Sequence, residues 1–427
     1  MLAPAGGAAP ALWLLVARTG GLLGVWAAGR CAARLTPRAG RLPAVVVAVG
    51  VLAVAGVNFQ LPGDGFLGSV WSGNSEGLLV ACVFGAGLAG LDRRPGRAWA
   101  LAVASALLRP EAWPFALLLA AWLWRGHPTL RPWLLAGLVA VPVLWFGAEL
   151  WGSGELFRGA ARAQAITPDN PATTGQAART VLSRARSYLP IGVQAAVLLG
   201  VVWSVVALVG RRRLRAARTS EPRAARTLGC WSGADATHAM TVAVGLFGAA
   251  WLVLVAVMAQ ARLASGNPRY VLLSIAAAAT LAGVGVGRLV ALAARRGRGA
   301  GIAVGVVAVL ILVASALPQL RGISRASDHL RYEARLDRDL GTAVTRAGGR
   351  DKALRCGAPV IGPLEVTALA WRLRVPIHRI GLDPGPGALV FRAAATLDDP
   401  PTPASTGGLA ALAGAGGWTV LGACRGR

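Results

Sequence analysis

The chain has 427 residues, of which 55% are apolar and 15% charged, and its mean hydropathy is +0.57. That balance excludes an ordinary soluble domain and a disordered chain, and it reads as a polytopic membrane protein whose first partner is the lipid bilayer. The formal charge of +26 would suit a nucleic-acid binder, but most arginines fall in short gaps between apolar runs, where positive-inside bias accounts for them, so no nucleic-acid partner is expected.

Runs able to cross a hydrocarbon core, at about 20 residues per helix, lie near 11–29, 42–58, 76–91, 132–151, 189–210, 240–260, 269–294 and 300–318. Two half-length runs, 98–108 and 112–124, flank Arg109-Pro110-Glu111. Each is too short to span, so the pair predicts a helical hairpin whose tip, stopped by Pro110, stays recessed near one membrane face. Ionisable groups at that depth are costly and mark a functional candidate. Non-helical backbone there must line protein or water, which implies a cavity.

The arginines set the orientation. One set of alternate gaps holds Arg30 to Arg41, Arg93 to Arg97, Arg125 and Arg131, the run Arg211 to Arg226, and Arg295 to Arg298. That face is expected to be cytoplasmic, with the long run contacting anionic lipid head groups. The opposite face then receives the N-terminus, the loops 58–75, 152–188 and 261–268, the hairpin tip and everything after Pro318. The first span must run inward with no basic residue ahead of it and no cleavage signal, which leads us to expect a further helix upstream of Met1. Arg18 inside that span either faces a cavity or marks a start set wrongly.

Two domains are expected: 1–326 as an all-α transmembrane bundle of about eight full spans plus the hairpin, and 327–427 as a small extracytoplasmic α/β domain. The tail alternates strand-like segments (359–361, 388–392, 418–422) with helical ones (329–347, 365–373), separated by Pro- and Gly-rich loops at 383–387 and 399–408. Gly283, Gly285 and Gly287 imitate a phosphate loop in letters only. They lie inside an apolar span with no preceding strand, and close helix packing is the better account.

Of the five cysteines, Cys31, Cys82 and Cys230 fall in or near the membrane and the cytoplasmic face, whereas Cys356 and Cys424 share the exported tail. A disulfide between those two is expected, worth roughly 2–4 kcal/mol, with two free thiols as the alternative. No Cys or His spacing points to a structural metal.

Three segments carry a family likeness: Ser72-Gly73-Asn74-Ser75-Glu76-Gly77-Leu78 opening a span, Leu107-Leu108-Arg109-Pro110-Glu111-Ala112-Trp113-Pro114 at the hairpin, and Gly266-Asn267-Pro268-Arg269-Tyr270 opening another span. In pattern and order they resemble the GT-C superfamily of membrane glycosyltransferases, in particular its protein-mannosyltransferase-like actinobacterial members, over roughly residues 11–320. The resemblance implies a polyprenyl-phosphate-linked sugar as donor, an extracytoplasmic acceptor and, in some members, a divalent metal, which no ligand cluster in this sequence demands. It also implies a catalytic acid in the loop after the family's first helix. By order, the run 11–29 resembles the second helix, so that acid has no position here to be carried onto.

Transfer from a lipid phosphate needs cations for the leaving phosphate and a carboxylate for the acceptor hydroxyl. Arg109 and Arg269, at outer span ends, have the bidentate donor geometry for phosphate, against simple snorkelling to the interface. Glu111 is a candidate to orient Arg109 or take the acceptor proton, against a salt bridge across the hairpin tip. Glu76 and Asp64 are the remaining catalytic candidates, against a helix N-terminal carboxylate and a Gly-flanked turn residue respectively. Asn267 is a substrate-binding candidate, against a helix start before Pro268. The expected function is therefore a membrane glycosyltransferase; the alternatives are a lipid or solute transporter and a non-catalytic scaffold on the same fold.

Overall fold

The computed structural model describes residues 3–56, 65–157, 161, 172, 175–218, 233–320, 323–363, 365–397, 399–404 and 408–423. The chain divides into two compact units, Met1–Trp145 with Gly159–Ile323, and Phe146–Arg158 with Ser324–Arg427.

Up to Leu320 every named element is helical: α1 (Ala9–Arg34), α2 (Arg41–Val54), α3 (Phe66–Trp71), α4 (Glu76–Leu91), α5 (Pro95–Leu108), α6 (Trp113–Gly126), α7 (Arg131–Ser153), α8 (Ala177–Ser187), α9 (Ile191–Arg218), α10 (Gly233–Gln260), α11 (Leu272–Ala293) and α12 (Arg298–Leu320). Among the described residues six helical stretches are long and apolar enough to cross a membrane: Gly6–Arg34, Pro128–Ser153, Ile191–Arg211, Asp235–Gln260, Pro268–Ala293 and Arg298–Pro318. This is a membrane protein. Two of the expected full spans do not reach that length: α2 has 14 residues and ends before its run 42–58 does, and α4 has 16, coinciding with its run 76–91, or about 21 and 24 Å of helix. Residues 57–64, where the first of those runs was expected to end, lie outside the described residues.

The hydrophobic surface is distributed as a bilayer protein requires. Leu22 and Leu118 are 72% and 69% exposed, whereas 89% of the apolar window of Pro268–Ala293 is buried, making α11 the central helix. Small residues admit its neighbours: a Cβ on Gly283 would lie 2.3 Å from the Ala44 carbonyl oxygen on α2, and one on Gly285 would lie 2.2 Å from that of Ala196 on α9. The glycine run thus allows backbone to meet backbone, as in other close-packed membrane helices.

The hairpin forms as two 14-residue helices, α5 and α6. Between them Arg109 is extended, at φ −147° and ψ 126°, and Pro110–Ala112 makes a single 3-10 turn. Proline disfavours helical backbone in the residue before it, so Pro110 ends α5 at Leu108 and swings Arg109 out. Pro114 sits in the first turn of α6, where its missing N–H costs nothing. Trp113 Nε1 donates to the Ala106 carbonyl over 2.9 Å and fastens the turn.

The second unit contains α13 (Ile323–Arg346), α14 (Gly349–Cys356), β1 (Pro359–Ile361), α15 (Val366–Leu373), β2 (Leu389–Arg392), β3 (Ala410–Ala415) and β4 (Trp418–Gly422). The sheet is mixed, in the order β1-β2-β4-β3, with β1 and β2 parallel and the other pairs antiparallel. Leu336, Leu340, Ala343 and Val344 recur at helical spacing on α13 and share a core with Leu389, Phe391, Trp418 and Val420. Val390, on the other face of β2, packs with Val360, Ala388 and Leu421. Side chains on both faces of β2 are therefore buried. Helix α14 and strand β3 were not anticipated. Cys356 is disulfide-bonded; Cys424, its expected partner, lies outside the described residues.

Candidate functional site

Four separated stretches of the first unit meet at one end of the bundle. Glu76 is the first residue of α4 and is 3% exposed. Its Oε1 accepts from Arg109 Nη2, at the hairpin tip, in a direct ion pair. Its Oε2 accepts from the Ser69 hydroxyl on α3 at 3.1 Å. Arg269 approaches from the turn ahead of α11, with Nε 3.7 Å from the same Glu76 Oε1. Its Nη1 donates to Asn74 Oδ1 at 3.2 Å, just before α4. Glu111 completes the set, with Oε1 4.0 Å from Arg109 Nη1.

Aromatic residues hold these charges in place. The Arg109 guanidinium lies 4.3 Å from the centre of the Tyr270 ring and that of Arg269 lies 5.6 Å from it, which adds cation–π attraction to both. Trp251 on α10 is 2% exposed and donates through Nε1 to the Tyr270 carbonyl at 2.8 Å. Phe115 from α6 stacks on Trp251 with ring centres 5.7 Å apart. A hydrocarbon wall under the ion cluster lowers the local dielectric and strengthens each pairing.

Two guanidiniums face two carboxylates, so the formal charges cancel. The hydrogen bonding does not balance in the same way. Glu111 is 7% exposed and its Oε2 is buried with no hydrogen-bond partner among the described residues. Arg269 Nε is likewise buried without a hydrogen bond. A charged acceptor and a charged donor are left open around a space of about 10 Å³ lined by Glu76, Arg109, Glu111, Trp251, Arg269 and Tyr270. That is room for about one water molecule.

Comparison with protein-family models, curated proteins and solved structures finds no match.

Glu76, Arg109, Glu111 and Arg269 come together, although they come from α4, the hairpin tip and the turn before α11. Arg109's nearest carboxylate is Glu76 rather than Glu111, so the bridge across the hairpin tip is the weaker of its two pairings. Asn267 stands beside the cluster and positions one of its members, because its Oδ1 accepts from the Arg269 backbone N–H at 3.1 Å and caps the turn that presents Arg269. Asp64 lies outside the described residues. Asn74 and Tyr270 belong to the family-like motifs but carry no role in the sequence reading, and Ser69 and Trp251 carry no signal of their own. Only the fact that they neighbour ionisable residues at span ends could have flagged them. Arg18 donates to the Trp71 carbonyl at 3.2 Å, at the end of α3, and is not part of the cluster.

The donor set does not fit a divalent cation. Both carboxylates are already faced by guanidiniums, and a dication added to those two positive charges would be repelled. Among the described residues no three His, Cys, Asp or Glu side chains group as metal ligands. What the arrangement suits is an anion: two arginines able to present several N–H donors, with a buried carboxylate alongside.

Proposed function

We propose that the protein is an integral membrane glycosyltransferase that moves a sugar from a polyprenyl-phosphate carrier to an extracytoplasmic acceptor, with the Glu76, Arg109, Glu111 and Arg269 cluster as its centre. The observation that carries this reading is the open Oε2 of Glu111, a buried carboxylate oxygen with acceptor capacity beside two arginines. The GT-C-like order of the three motifs supports it.

In the proposed reaction the acceptor hydroxyl gives its proton to Glu111 while its oxygen bonds to the anomeric carbon. The bond from that carbon to the phosphate oxygen breaks, and the electron pair leaves on the phosphate. Arg109 and Arg269 hold the charge that develops there. Glu76 must first release at least one of them, because the phosphate takes its place. The arginine-rich gaps support an extracytoplasmic side for this end of the bundle and for the C-terminal unit.

A second reading has the closed geometry in its favour: with room for about one water, the cluster also suits an architectural clasp in a non-catalytic scaffold. One assay separates the two. Glu111→Gln keeps the shape and leaves the pair between Arg109 and Glu76 intact. With a labelled polyprenyl-phosphate sugar in membranes, the catalytic reading expects transfer to fall by about 10²–10⁴-fold at unchanged protein abundance. Undiminished transfer by well-accumulated Glu111→Gln removes Glu111 from the reaction. Absence of transfer by the unaltered protein with every polyprenyl donor tried leaves the clasp.

A further inference from the structure

At the other end of α11, about 24 Å along the helix from Leu272 to Arg288 at 1.5 Å per residue, lies a larger cavity that the proposed reaction does not use. It has a volume of about 670 Å³ and is bordered by Arg34, Arg41, Arg211, His238, Arg288 and Arg295 together with apolar side chains. Two of these arginines are balanced: Arg34 pairs with Asp92, and Arg211 Nη1 lies 3.0 Å from Asp235 Oδ1. Arg41, Arg288 and Arg295 have no carboxylate partner among the described residues.

Arg288 is the unusual one. It is 4% exposed, inside an apolar helix, and its guanidinium is held only by neutral acceptors: the Gly200 carbonyl at 3.2 Å, the Leu35 carbonyl at 3.3 Å, the Thr241 hydroxyl at 3.0 Å and the Ser204 hydroxyl. The surrounding elements thus fix the direction of a charge that none of them cancels. A buried charge without a counter-ion is costly, and this one borders the cavity. His238 Nδ1 is also buried there without a hydrogen-bond partner.

The cavity continues into an apolar groove. Ala39 and Ala294 line both the basic cavity and a groove of about 660 Å³ formed by Leu42, Pro43 and Val46 on one side and Ile302, Gly305 and Leu310 on the other. From Arg298 to Leu310 the groove runs along about 18 Å of helix, close to the depth of one leaflet, half of a core about 30 Å thick. A cationic chamber opening onto a leaflet-deep apolar furrow has the form of an amphiphile with an anionic head.

The geometry points to a binding site for one anionic phospholipid, its phosphate among Arg41, Arg288 and Arg295 and one acyl chain in the groove between α2 and α12. The site is separate from the Glu76 cluster and does not depend on transferase activity. It differs from diffuse attraction of anionic lipid to a basic surface because it requires both the three unbalanced arginines and the groove.

The test is titration of the purified full-length protein in detergent with phosphatidylglycerol, read by native mass spectrometry. Phosphatidylcholine with the same chains and inorganic phosphate serve as competitors. The expected results are preference for phosphatidylglycerol over phosphatidylcholine, no displacement by millimolar phosphate, and at least tenfold weaker binding to Arg41→Ala/Arg295→Ala. Arg94→Ala/Arg97→Ala removes equal charge from exposed positions at the start of α5 and should bind within twofold of the unaltered protein. Gly305→Phe places a ring in the furrow, where a Cβ has only ordinary contact with Val290 at 3.5 Å; it should weaken binding with Arg41 and Arg295 in place. Equal losses in the two double variants, equal affinity for phosphatidylcholine, or displacement by phosphate with Gly305→Phe unaffected would each overturn the proposal. The first would mean diffuse charge, the second a nonspecific apolar furrow, and the third a site for free phosphate. Thermal unfolding of each variant shows whether a loss of binding is a loss of fold.

Discussion

Arg269 and Asn74 are 195 residues apart in sequence and are joined by a hydrogen bond of 3.2 Å. The bond ties the turn before α11 to the turn before α4, so the guanidinium is aimed by a neutral side chain as well as by Glu76. Asn74→Ala is expected to destabilise the protein by about 1.5–3 kcal/mol, the usual range for a hydrogen bond to a charged group. Thermal unfolding in detergent measures it, and an unchanged transition would mean that the bond does not hold Arg269.

The pair between Glu76 and Arg109 should behave as a buried ion pair. Glu76→Ala leaves Arg109 and Arg269 facing one another with only Glu111 nearby, a change expected to cost about 3–5 kcal/mol. Glu76→Ala/Arg109→Ala should cost less than the sum of the two single changes, because neither then strands a partner. Additive losses in that double-mutant cycle would show that the two groups do not stabilise one another.

In the second unit, burial holds the Glu365 carboxyl above the usual carboxylate range; the neighbouring charge of Glu333 adds to this and a backbone hydrogen bond opposes it. A carboxyl raised on folding contributes stability that is complete below its unfolded value and is lost as pH rises through its folded value. Glu365→Gln should therefore stabilise this unit at pH 7 and have little effect near pH 4. Hydrogen exchange of peptides covering Trp418–Gly422, compared between variant and parent at each pH, reads the difference. Equal protection at both pH values would contradict it.

A reporter fused after Arg427 tests the proposed orientation. One that functions only outside the cytoplasm should be active and one that functions only inside should be silent, because the proposed orientation, drawn from the arginine-rich gaps, puts the C-terminal unit outside. The reverse pattern would invert the proposed topology and place the Glu76 cluster on the cytoplasmic side.

The ionisable residues of the cluster are legible in the sequence because each interrupts or opens an apolar run, where charge is conspicuous. Their pairing is not. Whether Arg109 turns to Glu111, two residues away, or to Glu76, on another helix, depends on how α4 packs beside the hairpin, and no local pattern encodes that. Arg288 carries the same signal inside the run 269–294, but nothing in that run shows that it borders a cavity. Strands β1, β2 and β4 are visible through Val, Ile, Phe and Trp. Ala410–Ala415 is made of Ala, Leu and Gly, which have weak strand preference, and it becomes a strand through pairing with β4. The expected length of α2 exceeds the observed one because hydropathy counts apolar residues without regard to backbone geometry.

The space of about 10 Å³ at the ion cluster means that its arginines are never simply waiting. Any anion that reaches Arg109 and Arg269 has to displace Glu76, a competitor tethered to the same scaffold whose effective concentration dilution cannot reduce. Chloride and other small monovalent anions gain too little from two guanidiniums to win that exchange, whereas a group with several oxygens and more than one negative charge replaces every contact it breaks. In the proposed reaction the carboxylate therefore sets a common displacement cost for every anion, and only one whose own contacts with the two arginines exceed that cost, as a phosphate ester's would, is held.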